Sequence, residues 1–299
     1  MLIKRLLRSL IGPSGPQPLP GQRLEIVPVR ALTREVRSSN EAVIRSLCSP
    51  VYLGEYLTLC RILGHYKIYV DPSDIGLAPH LMLDGYWEMW VTEAIISLLH
   101  EGMVVADIGA NVGYFTLLMA DLVGPQGRVH AFEPNPHMVE LLGRSIVVNG
   151  FWHIDVHQVA LGAENDQEVT LIIPYNDPKN AHVRQSSGEM PQGAIAVPSL
   201  RLDSRPDWEN IEFAKIDIEG AEELAWAGMQ GLLDNGRLRA VILEFTPGRY
   251  ADPAKFLQQL LAPGFSLSRI DFNEGIVAAS EAEILSSAPE KDIMLVLQR

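Results

Sequence analysis

A chain of 299 residues with 47% hydrophobic and 20% charged side chains has globular composition and can bury a sizeable core, which excludes disordered and fibrous classes. Its net charge of −13 argues against a surface built for nucleic acid, because phosphate contacts need clustered Lys and Arg. No apolar run approaches the roughly 18–20 residues needed to cross a bilayer, and Cys48 and Cys60 offer neither a disulfide framework nor a metal-ligand spacing, so a cytoplasmic location is expected.

Charge is unevenly spread. Residues 1–45 carry eight Lys and Arg against Glu25, Glu35 and Glu41, a basic arm on an acidic body. The first residues, Met-Leu-Ile-Lys-Arg-Leu-Leu-Arg-Ser-Leu-Ile, read either as a loosely ordered extension or as a short amphipathic helix in peripheral contact with an anionic membrane. Arg8 and the lack of a small-residue cleavage site argue against a signal peptide. Gly12 to Gly21 is rich in Pro and Gly and cannot continue a helix, so residues 1–21 are an arm and linker. Residues 22–86 read as a front section, mostly helical from about Leu32 to Leu63, with a short strand at Lys67 to Val70 and a turn at Asp71-Pro-Ser-Asp74.

From Trp87 onward the rhythm is α/β. A helix over about Met89 to Leu99 leads into the strand Val104 to Ile108, a Gly-bounded turn and a helix from Tyr114 to Leu122. The strand Arg128 to Phe132, a helix from His137 to Asn149 and the strand Val156 to Ala160 follow, implying parallel strands with right-handed crossovers. Strands at Val169 to Ile173 and Ile195 to Leu202 flank a polar loop, Pro174 to Gly193, long enough to serve as a lid. Alternation resumes with Phe213 to Ile218, a helix from Ala221 to Leu233, the strand Ala240 to Phe245, a helix from Pro253 to Leu261, and a terminal strand pair at Phe265 to Ile270 and Ile293 to Leu297.

Open parallel sheets bind ligands beyond the carboxyl ends of their strands, and the first strand-turn-helix supplies the floor. Here that unit contains Asp107-Ile-Gly-Ala-Asn-Val-Gly113, in which Gly109 and Gly113 permit a tight turn and close backbone approach. A dinucleotide site needs G-x-G-x-x-G to seat a pyrophosphate, but Asn111 stands where the second glycine belongs and the Asp107 charge would repel a diphosphate. A donor with a cationic amino group and sulfonium, S-adenosylmethionine, fits an acidic mouth. Glu133, at the end of the next strand, suits the two hydroxyls of an adenosine ribose, and Ala160 the edge of the base.

These pieces occur in order with Asp71-Pro-Ser-Asp74, Gly85-Tyr-Trp-Glu88, Ala131-Phe-Glu-Pro134, Ala160-Leu-Gly162, Leu202-Asp203, Lys215-Ile-Asp-Ile-Glu-Gly-Ala-Glu222 and Leu243-Glu-Phe245. From about Gly64 to the C-terminus the chain resembles the FkbM-type methyltransferases of the class I S-adenosylmethionine-dependent fold. The resemblance implies a Rossmann-like, seven-stranded, mostly parallel sheet with an antiparallel last strand and helices on both faces, making residues 87–299 a methyltransferase domain. It also implies methylation of oxygen on a sugar, glycan or other small natural product; methylation of nitrogen on the same fold and a non-catalytic cofactor-binding module are the rival readings.

The expected cofactor residues are Glu88, Asp107, Gly109, Ala110, Asn111, Gly113, Phe115, Glu133, Pro134, Ala160 and Asp217. A hydroxyl acceptor must lose its proton, and the candidates for that chemistry are Asp217, Glu219 and, in the polar loop, His182, with Lys215 orienting the substrate or lowering the pKa of the base. Structural readings stand beside these: a strand-end ion pair for Lys215 and Asp217, helix-dipole carboxylates for Glu219 and Glu222. Glu244, Tyr175 and Arg184 complete the set. Oxygen ligands at Asp217 would suit a divalent ion, but no ligand spacing calls for one and no metal is expected.

Overall fold

The computed structural model describes residues 28–175, 177–185 and 190–299; the basic arm and linker of residues 1–21 lie outside them. Among the described residues, the stretch expected to be helical up to Leu63 holds one α-helix, α1 (Arg37–Leu47), far shorter than expected. Pro50 lacks the donor a helix would need next, and the chain then runs through β1 (Val51–Gly54), β2 (Leu57–Ile62) and β3 (Tyr66–Val70), an antiparallel sheet in that order. Along β2 the side chains of Thr58, Cys60 and Ile62 are buried at every second position, the period of a strand. Glu55 and Tyr56, both at positive φ, form the two-residue hairpin turn between β1 and β2 without the usual Asn-Gly signature. The front section is thus partly a small sheet rather than helical.

The expected α/β rhythm follows: α2 (Ala78–Leu83), α3 (Met89–Leu98), β4 (Val104–Ile108), α4 (Tyr114–Val123), β5 (Arg128–Phe132), α5 (Pro136–Asn149) and β6 (Ile154–His157). The expected strand Val156 to Ala160 divides at Val159. Its second half, β7 (Ala160–Leu161), joins β8 (Gln167–Ile172), β9 (His182–Gln185) and β10 (Ala194–Leu200) in a separate sheet of order β7-β10-β8-β9. The long polar loop is therefore partly folded, with β9 paired antiparallel to β8.

The chain continues through β11 (Phe213–Ile216), α6 (Glu222–Ala227), α7 (Gln230–Asp234), β12 (Ala240–Phe245), α8 (Pro253–Leu261), β13 (Ser266–Asp271), β14 (Gly275–Ala278), α9 (Glu281–Leu285) and β15 (Ile293–Gln298). The single helix expected from Ala221 to Leu233 breaks at Gly228, where a Cβ would lie 1.9 Å from the Gly162 carbonyl oxygen. Among the described residues the central sheet has eight strands, not seven, in the order β14-β13-β15-β12-β11-β4-β5-β6. The extra edge strand is β14, and Asp271 caps the hairpin that creates it by accepting the N–H groups of Asn273 and Glu274. Strands β4, β5, β6, β11 and β12 pair parallel, and β15 runs antiparallel between β12 and β13.

Each face of this sheet buries its own apolar layer. Val105 shares one apolar cluster with Ile95, Leu117 and Leu142, while Ile108 and Leu243 share another with Trp226, Leu232 and Phe256. The front section is tied to α3 by a buried Arg37–Glu93 ion pair, with Arg37 4.7 Å over the Phe272 ring. Winding reverses between β4 and β11, so their carboxyl ends open a crevice there. No helix among the described residues is long and apolar enough to cross a membrane.

Candidate active site

The turn after β4 is shaped by close approach. A Cβ on Gly109 (φ +84°) would lie 1.9 Å from the Asp217 carbonyl oxygen, and one on Gly113 (φ +97°) 2.3 Å from Leu142 Cδ1. The N–H groups of Gly109 and Ala110 both reach the Phe132 carbonyl, which knits the turn to the end of β5. Asn111 stands at φ +50° and donates its N–H to Glu133 Oε2 at 2.8 Å, while Asn135 N–H bonds Oε1 at 2.9 Å. Both carboxylate oxygens are thereby fixed by backbone. Burial pushes the Glu133 carboxyl up to about 7, against the pull of those two amides.

Glu133 forms part of a first cavity with Asn111, Phe132, Pro134 and Val159 to Leu161. One further wall is the folded part of the polar loop, Pro178, Lys179, Ala181 and Val183. A second cavity adjoins it, sharing Gly109, Asn111, Lys179, Asp217 and Glu219, and is lined further by Trp87, Glu88, Ala110, Tyr114, Phe115 and Lys215. Glu244, Arg249 and Asp292 also line it, with Leu77 and Asn180.

Asp107 does not stand at the mouth. It is 1% exposed and lines neither cavity: Thr116 Oγ1 donates to Oδ2 at 2.5 Å, and Oδ1 is buried without a partner. The parallel pairing of β4 with β11 sets Lys215 opposite it, and burial raises its carboxyl above the ordinary range although Lys215 opposes the rise. Its charge is balanced inside the protein, and cavity-facing carboxylates on neighbouring elements supply the acidic character expected of it.

Lys215 is 2% exposed, donates Nζ to Asp217 Oδ2 at 2.9 Å and lies 4.9 Å from the Phe115 ring centroid. Burial disfavours its charge, but Asp217, Asp107 and Glu88 outweigh that and lift it to about 12, so it stays protonated. Glu88 sits in left-handed backbone (φ +38°) with Oε2 buried and unpartnered; burial and the nearby Asp217 push it up to about 7. Burial also drives Glu219 to about 7 and, with Asp217 and Glu219 beside it, Glu244 to about 9. Arg249 bridges the two, with Nη2 2.6 Å from Glu219 Oε2 and Nη1 bonded to Glu244.

Of the residues expected from sequence, Glu88, Gly109, Ala110, Asn111, Phe115, Glu133, Pro134, Ala160, Lys215, Asp217, Glu219 and Glu244 meet at the two cavities. Gly113 lines neither; it allows close packing against Leu142. His182 also lines neither: on β9 its neighbours Ala181 and Val183 pack against the small sheet's apolar cluster, and its Nδ1 lies 3.3 Å from the Asn180 carbonyl. Tyr175 is 91% exposed, and Glu222 is fully buried as a structural acceptor for Ile218, Gly220 and Tyr250. Lys179, Arg249 and Asp292 were not foreseen. Arg249 follows the carboxyl end of β12, a position the strand-end rule could have flagged, whereas Asp292 reaches this edge only because β15 is antiparallel.

A family model described as the methyltransferase FkbM domain matches residues 107–267, more than half of the chain. Among curated relatives, methyltransferase sdnD of Sordaria araneosa is 27% identical across 42% of this chain and 60% of its own length. A protein-L-isoaspartate O-methyltransferase of Methanothrix thermoacetophila is 44% identical over 48 residues, 16% of this chain and 23% of its own length. The chain spans less than two thirds of either relative. A solved FkbM methyltransferase from Methylobacillus flagellatus aligns with a TM-score of 0.42 and 16% identity, covering 68% of this chain and 45% of that one.

Proposed function

This chain belongs to the FkbM family of methyltransferases, within the S-adenosylmethionine-dependent class, and on that premise we propose that it methylates a hydroxyl oxygen on a sugar, glycan or other small natural product. The observation that carries the reading is the joined pair of cavities: a backbone-fixed Glu133 in one and a carboxylate-rich wall in the other, meeting at Gly109, Asn111 and Asp217. When bound, S-adenosylmethionine supplies an electrophilic methyl group on a sulfonium.

The residues fit that donor. Glu133 keeps lone pairs for the two ribose hydroxyls, Phe132, Pro134 and Ala160 offer apolar surface to the base, and the orphaned Glu88 Oε2 suits the donor's ammonium group. Lys215, held protonated, serves as the counter-ion that orients Asp217. The acceptor proton then falls to a cavity carboxylate, Asp217 or Glu219, and most of the rate comes from alignment in a site shielded from water.

Charge favours oxygen over nitrogen as the acceptor. The second cavity presents Glu88, Asp217, Glu219, Glu244 and Asp292 against Lys179, Lys215 and Arg249. Glu88 and Glu219, raised to about 7, give up their protons to a more basic amine and hold it as ammonium, which has no lone pair to offer, whereas a hydroxyl gains acceptors. The free thiols of Cys48 and Cys60 support a cytoplasmic setting, the −13 charge supports an acceptor other than nucleic acid, and the basic arm supports peripheral contact with anionic membranes.

Calorimetry with S-adenosylmethionine and with NAD tests the donor, and binding of NAD alone would sink the proposal. A screen of donor-dependent methylation over sugars and natural-product extracts, with NMR of the product, tests the acceptor; an N-methyl product would replace the oxygen reading.

A further inference from the structure

Asp217, Glu219 and Glu244 each bring one oxygen within 4.8 Å of the other two. Three carboxylates this close repel one another unless protons or a cation intervene. Lys215 pairs with Asp217 at 2.9 Å, and a second cation already stands between the other two. Arg249 Nη2 lies 2.6 Å from Glu219 Oε2 and 3.8 Å from Asp292 Oδ1, while Nη1 bonds Glu244 Oε2.

The placement of that guanidinium is built into the fold. Arg249 ends the tight turn Pro247–Arg249 after β12, and the turn is pinned by Gly248, whose N–H donates to the Pro289 carbonyl at 2.7 Å. A Cβ on Gly248 would come equally close to that oxygen, so no larger residue fits. The next residue, Tyr250, donates to Glu222 Oε2 at 3.0 Å, and Glu222 Oε1 in turn accepts the N–H groups of Ile218 and Gly220. One turn therefore grips the loop after β11 from two sides, through Glu219 at the cavity and through Glu222 in the core. Glu219 occupies left-handed backbone at φ +56°, a conformation that persists in a non-glycine residue only where surroundings impose it.

We propose that Arg249 is the resident cation of this carboxylate cluster, standing where a divalent ion would otherwise bind, and that it positions Glu219 at the edge of both cavities to receive the acceptor's proton. The first clause is independent of the methyltransferase reading; the second rests on it. In that step the acceptor oxygen–methyl bond forms as the sulfur–methyl bond breaks, the electron pair stays on sulfur, and the hydroxyl proton passes to the Glu219 carboxylate. Arg249 touches neither reacting atom and acts through Glu219.

The test titrates the full chain with MnCl2 and reads free Mn2+ by electron paramagnetic resonance, beside Arg249→Met, Arg249→Lys and the double variant Arg249→Met with Glu244→Gln. Arg249→Met is expected to bind Mn2+ at least about tenfold more tightly than the parent. Arg249→Lys keeps the positive charge and should match the parent, and the double variant, short of one ligand, should lose the gain. Stoichiometric uptake of Mn2+ by the parent, or no gain in a folded Arg249→Met, overturns the assignment. Should Arg249→Met not fold, melting curves of the parent and Arg249→Lys decide: no rise with Mn2+ in either supports it, and a rise in the parent overturns it.

Calorimetry with S-adenosylmethionine on the same samples separates the two readings. If the parent binds none while Arg249→Met gains Mn2+, the donor reading fails and the resident cation stands. With an acceptor from the screen, Arg249→Met should lose kcat with donor affinity unchanged and Arg249→Lys should restore it; equal kcat in all three removes the positioning role.

Discussion

Replacing Glu133 with Gln tests the cofactor reading at its most constrained atom. Both carboxylate oxygens accept backbone N–H groups, from Asn111 and from Asn135, so whichever position the new amide NH2 takes faces a donor. That mismatch is present with or without ligand and affects mainly the fold. Binding loses instead the charge-assisted bonds from the ribose hydroxyls, about 1.5–3 kcal/mol, which at 1.4 kcal/mol per decade weakens the donor roughly 10- to 100-fold. Calorimetry measures this directly. The proton balance supplies a second reading: with Glu133 raised to about 7, hydroxyl donors favour its ionised form, so binding below that pH should release protons. Heats measured in buffers of different ionisation enthalpy will show a larger release in the parent than in Glu133→Gln, where only Glu88, also raised to about 7, is left to lose a proton to the donor's ammonium. An unchanged affinity, or equal proton release in both, refutes the ribose assignment.

Gly109→Ala would place a Cβ 1.9 Å from the Asp217 carbonyl, and the overpacking of roughly 1–3 kcal/mol should abolish donor binding in calorimetry before it unfolds the chain. Breaking the buried Arg37–Glu93 pair with Arg37→Ala should cost about 3–5 kcal/mol and lower the melting temperature by on the order of 10 °C, leaving donor affinity nearly intact. Lys215 is raised to about 12 from an ordinary 10.5, so its stabilisation is complete below 10.5 and disappears as pH climbs through 12; alkaline unfolding should steepen in that window, and Lys215→Met should flatten it. Gly76 packs closely against the folded part of the polar loop, where a Cβ would meet Asp177 Oδ1 at 2.5 Å and Lys179 Cδ at 2.7 Å. Gly76→Ala should displace Lys179 from the shared wall and weaken the donor several-fold without moving the melting temperature, which calorimetry and a thermal melt check together.

The parallel core was legible because its strands are short apolar runs bounded by Gly and Pro, and such runs have few alternatives. The front section was not. Leu57 to Ile62 alternates correctly for a strand, but the turn at Glu55 and Tyr56 carries no Gly or Asn in its two central positions, and without that punctuation the apolar residues on either side merge into a helical count. Val156 to Ala160 failed for another reason: the chain changes sheets at Val159, and a change of partner leaves no mark on apolar periodicity. In the site, the residues at the carboxyl ends of the parallel strands were found; Arg249, four residues beyond such an end, Asp292, at the start of an antiparallel strand, and Lys179, in a folded loop, were not.

Asp107 shows how far a motif's charge can be read. Its position at the end of β4 suggested a carboxylate waiting for a cationic ligand, yet β11 is its parallel neighbour and brings Lys215 into register with it. A fully buried ammonium between Asp107 and Asp217 cannot also leave both carboxylates uncompensated, so the ligand's positive charge must be met elsewhere along the wall. Glu88 alone among the cavity carboxylates has a buried oxygen with no partner, whereas Asp217 is bound by Lys215 and Glu219 and Glu244 by Arg249. On the proposed function, the donor's ammonium group is therefore assigned to Glu88 in the Gly-Tyr-Trp-Glu element that precedes the domain's first strand. Glu88→Gln should accordingly cost more donor affinity than Asp107→Asn, and the opposite order in calorimetry would return the role to the turn.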